Sequence, residues 1–365
     1  LFVILPVDFL ATLHSLIRVP SVVGAERAFF HEIRREMEEL SLQVTLYEGV
    51  LEVIGNDPGA GTVCAHVDRH GLVATGPNEL QYAAFVAQHR GDLRGDSVSE
   101  QMLDTISSRF KGQRVYAYHP WSGIYRERGE ITESHFCQSR GNLVFRVDGL
   151  KGIHAGYPVA YEDRLVIDND RLSAQLDNVI SVAVIIELFR RGFQGRALFT
   201  AQEEAGRSWR YLLAYFRRLG VTDRQLLVLD TSPFPDAESV ARQELVLRNR
   251  DAGGTFEPKV VAALRERCDI LGISHIMKDE FVTARNLERL EAGLPLLSLG
   301  RTELGRLVEA TNGEINGATL QIPTYGYHTA RETATFTSVA AMLALLENLF
   351  VDQPLRRERA EPVTA

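Results

Sequence analysis

The sequence predicts an α/β fold: a mixed sheet flanked by helices, interrupted by an inserted β-rich module. Three observations carry that expectation. Short strand-like runs alternate with helix-like runs near the N-terminus and again from residue 177 onward, and such alternation implies a sheet covered on both faces. Residues 76–160 break the pattern with scattered aromatics, many charges and turn signals at 91–92, 95–96 and 122–123. The length, 365 residues with 45% hydrophobic and 24% charged side chains, suits one large domain or a core plus a smaller module.

Residues 8–17 predict a short helix stopped near Pro20. In 25–40, Phe29, Ile33, Met37 and Leu40 recur at helical spacing with charges elsewhere, which predicts an amphipathic helix. Strands are expected at 44–47, 51–54 and 62–65, the last running into His66. Within the insert, 114–119 and 142–147 read as strands and 99–110 as a helix. The run 179–189 is apolar on every side, so its helix must be buried. Strands at 196–200, 226–230 and 318–322 then alternate with helices at 208–219, 258–271, 302–310 and 335–350, and the polar tail from 355 reads as frayed.

Composition excludes a disordered or collagen-like chain. A net charge of −8, from 40 basic against 48 acidic residues, argues against nucleic acid as a partner. No apolar run approaches the roughly 20 residues a membrane span requires, so no membrane partner is expected. The opening LFVIL lacks a basic flank and does not read as a signal peptide. Three widely separated cysteines make neither a disulfide framework nor a zinc module, and the chain reads as cytoplasmic.

Polar residues at strand ends hold the chemistry. His66 and Asp68 follow the third strand, Glu203 and Glu204 follow 196–200, Asp230 ends 226–230, and His328 lies beyond 318–322. Ligand crevices in α/β sheets lie outside the carboxyl ends of strands, so these points are expected to converge although they are far apart in sequence. Asp177 joins them because it abuts the buried helix, where an unpaired carboxylate is expensive, whereas Asp168 and Asp170 read as a solvated turn. Two divalent ions roughly 3.5–4 Å apart need about three protein ligands each, one of them shared, with a further free carboxylate to take a proton from water. The set fits that count. Asp68 suits the acceptor of the His66 imidazole N–H. Taken alone, Glu203 and Glu204 also fit acids at a helix N-terminus, Cys64 fits a small core residue, and His70 borders the site without being expected to ligate. Serine-hydrolase, P-loop, dinucleotide and HExxH motifs are absent from the sequence.

The motifs AHVD followed by Gly71, LDN before an apolar helix, TAQEE-x-G, a strand ending in Asp230 and IPTYGYH-x-x-x-E occur in one order. With weaker similarity over 155–163, the chain resembles the M42 family of metalloaminopeptidases, the glutamyl-aminopeptidase and tetrahedral-aminopeptidase group. The resemblance implies a zinc-peptidase-like catalytic domain at 1–75 and 161–365, and a barrel-like insert at 76–160 that serves as lid or dimerisation module. It implies that His66 and Asp230 hold one metal, Glu204 and His328 the other, and that Asp177 bridges them, with Glu203 as general base. Zn or Co is the expected metal, with Mn or Ni as alternatives; peptides with a free N-terminus are the expected substrates, and a homo-oligomer from dimer to dodecamer the expected assembly. Four segments depart from the family pattern: Arg69-His70 after HxD, Asn178-Val179 after the bridging position, Thr302-Glu303-Leu304, and Tyr325-Gly326-Tyr327-His328-Thr329 at the last histidine. The rival readings are an M20-type dipeptidase, carboxypeptidase or N-acyl amino-acid deacylase, disfavoured because the long insertion falls between His66 and Asp177, and a catalytically silent peptide-binding homologue.

Overall fold

The computed structural model describes residues 5–76, 79–88 and 99–352. The expectations at 91–92 and 95–96, the first four residues of the opening run and the tail from 355 lie outside the described residues. The chain opens with α1 (Val7–Arg18) and α2 (Arg27–Glu39), then β1 (Gln43–Tyr47), β2 (Val50–Ile54) and β3 (Thr62–His66). Next come β4 (Leu72–Gly76), β5 (Glu79–Tyr82), α3 (Ala83–Ala87), α4 (Glu100–Phe110), β6 (Arg114–Tyr118), β7 (Tyr125–Cys137), β8 (Asn142–Asp148) and β9 (Pro158–Tyr161). The return to the core passes through β10 (Val166–Asp168), β11 (Arg171–Ala174), α5 (Val179–Arg190), β12 (Arg196–Thr200), α6 (Ser208–Leu219) and β13 (Leu226–Pro233). It continues with α7 (Ala237–Ala241), β14 (Leu245–Leu247), α8 (Pro258–Leu271), β15 (His275–Met277), α9 (Lys278–Glu291) and α10 (Glu303–Thr311). The last elements are β16 (Gly317–Thr324), β17 (Glu332–Thr335) and α11 (Phe336–Glu347), which runs into a π-helical turn, Asn348–Asp352.

Eight strands form one mixed sheet in the order β1-β2-β12-β3-β13-β16-β14-β15. Its centre is parallel: β12 pairs β3 with Thr200 opposite His66, and β13 pairs both β3 and β16. Outside that centre β2 runs antiparallel to β12 and β14 antiparallel to β16, while the edge strand β15 pairs parallel with β14. β3 is buried along its whole length, as parallel central strands between helical layers are. α5 is buried from Val179 to Phe189, as its all-round apolar sequence requires, and packs between the sheet and α1 and α11.

The inserted strands close a separate barrel, β4-β5-β8-β7-β6-β9, which runs from Leu72 to Tyr161. Its own core is built on Phe110, Tyr118, Phe145 and Tyr161, all essentially inaccessible. α4 carries Phe110 into that core, and its first turn is capped by the Ser99 hydroxyl, which accepts from Met102 N at 3.2 Å. A small sheet, β10-β11-β17, joins the segment after the barrel to the segment after β16. It brings Asp177 and His328 toward the same end of the molecule.

Candidate metal centre

Four central strands deliver their carboxyl-end residues to one place. His66 ends β3 at 4% exposure. Its Nε2 lies 3.2 Å from Asp177 Oδ1 and 3.5 Å from Asp230 Oδ1. On the other side, His328 Nε2 lies 3.4 Å from Asp177 Oδ2 and 3.5 Å from Glu204 Oε2. The two oxygens of Asp177 therefore face two different imidazoles. Donors bound at about 2.1 Å in a tetrahedral shell sit roughly 3.4 Å apart, which is the spacing seen here.

The loops are held by their own polar contacts. Asp68 is fully buried and takes the backbone N–H of Glu203 at 2.9 Å and of Glu204 at 3.0 Å, so it fixes the turn after β12. Its Oδ1 is also 3.5 Å from His66 Nδ1, longer than a hydrogen bond, so its firmest role is toward the 203–204 backbone. Glu332 performs a similar task that its sequence position did not reveal: one oxygen accepts from Asp177 N at 2.7 Å and the other from His328 N. Asn178 follows Asp177 through a cis peptide and donates to the Leu229 carbonyl at 2.8 Å, tying the start of α5 to β13.

The electrostatics of the cluster suit a bound cation. Burial, together with nearby carboxylates, raises Glu203 to about 8 and pushes Glu204 and Asp230 upward. His66 goes up despite burial because Asp177, Asp230 and Asp68 surround it, whereas burial lowers His328 to about 4. His66 Nδ1, Asp177 Oδ1, Glu204 Oε1 and His328 Nε2 are buried without hydrogen-bond partners among the described residues. Buried groups left so are costly unless a cation or its ligands complete them, so the donor set fits divalent metal. The His/Asp/Glu donors fall into two groups, His66-Asp177-Asp230 and His70-Glu204-His328, each with its donor atoms within 4.8 Å of one another.

All seven residues singled out by the sequence thus lie together: His66, Asp68, Asp177, Glu203, Glu204, Asp230 and His328. Asp168 stays at the exposed β10–β11 turn, and Cys64 is buried with its thiol 3.3 Å from Glu303 Oε2. His70 is the residue that sequence reasoning set aside. It is 5% exposed, and its Nε2 lies 2.8 Å from Glu204 Oε2. The insert also reaches the centre. Arg109 of α4 is 3.1 Å from His328 Nδ1, on the wall of a cavity of about 420 Å³ lined by Tyr82, Phe85, Met102, His70 and His328. The only sequence signal for these neighbours was the helix at 99–110.

No protein-family model matches the chain, and no curated protein matches it. Solved structures do. A TET aminopeptidase from the marine sediment archaeon Thaumarchaeota archaeon SCGC AB-539-E09 matches with a TM-score of 0.70 at 15% identity, over 95% of this chain and 97% of that one. The aminopeptidase APDkam598 from the archaeon Desulfurococcus kamchatkensis gives 0.68 at 16% identity, over 95% of each chain. The Pyrococcus horikoshii TET1 peptidase, described as assembling into a tetrahedron or a large octahedral shell, gives 0.64 at 14% identity over 94% of this chain and 99% of that one. The chain therefore shares the fold of these structures over 94–95% of its length.

Proposed function

We propose that this protein is a two-metal aminopeptidase that removes N-terminal residues from peptides. The observation that carries the reading is the Asp177 carboxylate, whose two oxygens face the two imidazoles of two separate donor groups. His66 and Asp230 would hold one divalent ion, Glu204 and His328 the other, and Asp177 both. Bound there, the pair would polarise the scissile carbonyl and lower the pKa of an attacking water toward neutrality. Imidazole and carboxylate donors accept Zn or Co, and also Mn or Ni.

The protein's own groups do the rest. Glu203 and Asp68 are the carboxylates of the cluster left outside both donor groups, and Asp68 is occupied by the backbone N–H groups of 203–204, so Glu203 takes the proton of the water and returns it to the leaving amine. Asp68 holds Glu203 in place through the backbone N–H of that residue. The concentration of carboxylates suits the ammonium of a free N-terminus, which supports exopeptidase over endopeptidase cleavage, and a cavity of about 420 Å³ beside them has room for the substrate's first residue. α4 roofs that cavity, which supports a lid role for the insert. The likeness to TET aminopeptidases supports a homo-oligomer, and leucines 287, 290 and 296, each at least 60% exposed on and after α9, supply apolar surface for one. Three free cysteines are compatible with a reducing compartment such as the cytoplasm, and no helix among the described residues is long and apolar enough to cross a membrane.

Glu203→Gln tests the assignment. It should lower kcat by about 10²–10⁴-fold on aminoacyl substrates while two equivalents of metal stay bound. Near-wild-type turnover with both ions in place would remove Glu203 as the base. Equal cleavage of N-acetylated and N-terminally free peptides would remove the exopeptidase reading.

A further inference from the structure

His70 departs from the family pattern and sits where a ligand would. We infer that His70 is a sixth protein ligand, so that the ion shared by Glu204, His328 and Asp177 is enclosed by four side chains while its partner has three. This rests on the two-metal reading above and adds an asymmetry that reading does not contain.

Four observations support it. His70 Nε2 is buried without a hydrogen-bond partner among the described residues, although Glu204 Oε2 is 2.8 Å away, so none of these offers an acceptor where that nitrogen would need one. The rings of His70 and His328 meet edge to face with centroids 3.9 Å apart, and both present an unpartnered Nε2 beside the Glu204 carboxylate. Nδ1 is occupied from behind by the Tyr82 hydroxyl at 2.6 Å. The contact admits the tautomer a ligand needs: with Nδ1–H donating to the phenol oxygen, the Nε2 lone pair is free, which is how ligating histidines are usually oriented. Finally, the backbone is pinned. Gln175 Nε2 donates to the His70 carbonyl at 2.9 Å, and at Gly71 a Cβ would meet Val22 at 2.5 Å and the Val159 carbonyl at 2.8 Å. The imidazole is therefore presented in one place.

The consequence is a division of labour. Sites with four protein ligands are typically closed and retentive, whereas sites with three keep a position open for water or substrate. The ion at Glu204, His70 and His328 should bind first and leave last. The ion at His66 and Asp230 should exchange and face the reacting group.

X-ray absorption on the protein loaded with one equivalent of Zn²⁺ should find two imidazoles per ion, and at two equivalents an average of about 1.5. In chelator competition, His70→Gln, which retains a polar group toward Tyr82, should weaken the tighter site by about 10-fold or more and leave the weaker one unchanged. Tyr82→Phe should weaken the same site in the same direction, and would report on it even if the His70 variant failed to fold. One imidazole per ion at one equivalent, or an unchanged tight site in His70→Gln, overturns the inference and leaves the two-metal reading standing. A wild-type protein that takes up no divalent ion would overturn both.

Discussion

Lys278 opens α9 at 8% exposure, its ammonium 3.7 Å from the centre of the Phe234 ring and donating to the Pro233 carbonyl at 2.6 Å. Burial, helped by the Arg248 guanidinium, pulls its pKa down to about 7 from 10.5. Between those values the unfolded chain holds a proton that the folded chain does not, so stability rises with pH across that window and is lowest, and flat, below it. Each pKa unit corresponds to about 1.4 kcal/mol, and the Phe234 face and the carbonyl give part of that back. Lys278→Met should thus be more stable than the wild type by about 1–3 kcal/mol at pH 7, with the gap closing toward pH 10. Urea unfolding at the two pH values measures it, and a gap that does not shrink with rising pH would refute the assignment. This lysine was not legible in the sequence, and neither was His70. Each owes its properties to residues distant in the chain, Phe234 and Arg248 for one, Glu204 and His328 for the other. His66, Asp230 and Glu204 were legible for a simpler reason: each ends or follows an apolar strand, and parallel strands deliver their carboxyl ends to one edge.

At the scale of elements, legibility followed burial pattern. α5 was plain because it is apolar all round, and β3, β12, β13 and β16 because their apolar runs are bounded by turn residues. α9 was missed because its pattern is inverted: it buries Lys278 and Asp279 while Leu287 and Leu290 stand more than 60% exposed. β14 and β15 were missed because three residues carry no readable period. The pairing of β13 with β16 rests on a feature that sequence alone does not display. Gly317 lies opposite Leu226, and a Cβ there would fall 1.8 Å from the Leu226 carbonyl oxygen. Gly317→Ala must force these strands apart, and the neighbour is backbone, which cannot swing aside. Overpacking of this kind costs about 1–3 kcal/mol or more. Denaturant unfolding should show a loss of at least about 2 kcal/mol, and a loss below about 0.5 kcal/mol would mean that the strands separate freely there.

Over the whole molecule, the proposed ligands come from five separate segments: the end of β3, the start of α5, the turn after β12, the carboxyl half of β13 and the loop after β16. Without a cation, these segments meet as a knot of carboxylates whose pKa values are mostly pushed up, so the fold carries an electrostatic cost at its centre. Two divalent ions would offset four of the eight net negative charges and tie the segments together. A ligand that binds only the folded state stabilises it by about 1.4 kcal/mol for each tenfold rise in its free concentration above Kd, for each site. The melting temperature should therefore climb steadily with free Zn²⁺ in a chelator-buffered series, and fall by several degrees when metal is stripped. Glu203→Gln should keep the whole dependence if Glu203 acts as the proposed base and not as a ligand. Asp177→Asn should lose most of it, since the proposal has that carboxylate shared by both ions. A melting temperature flat across three decades of free metal would mean that these segments are held together by the protein alone, and that the convergence at the carboxyl edge of the sheet serves some other cargo.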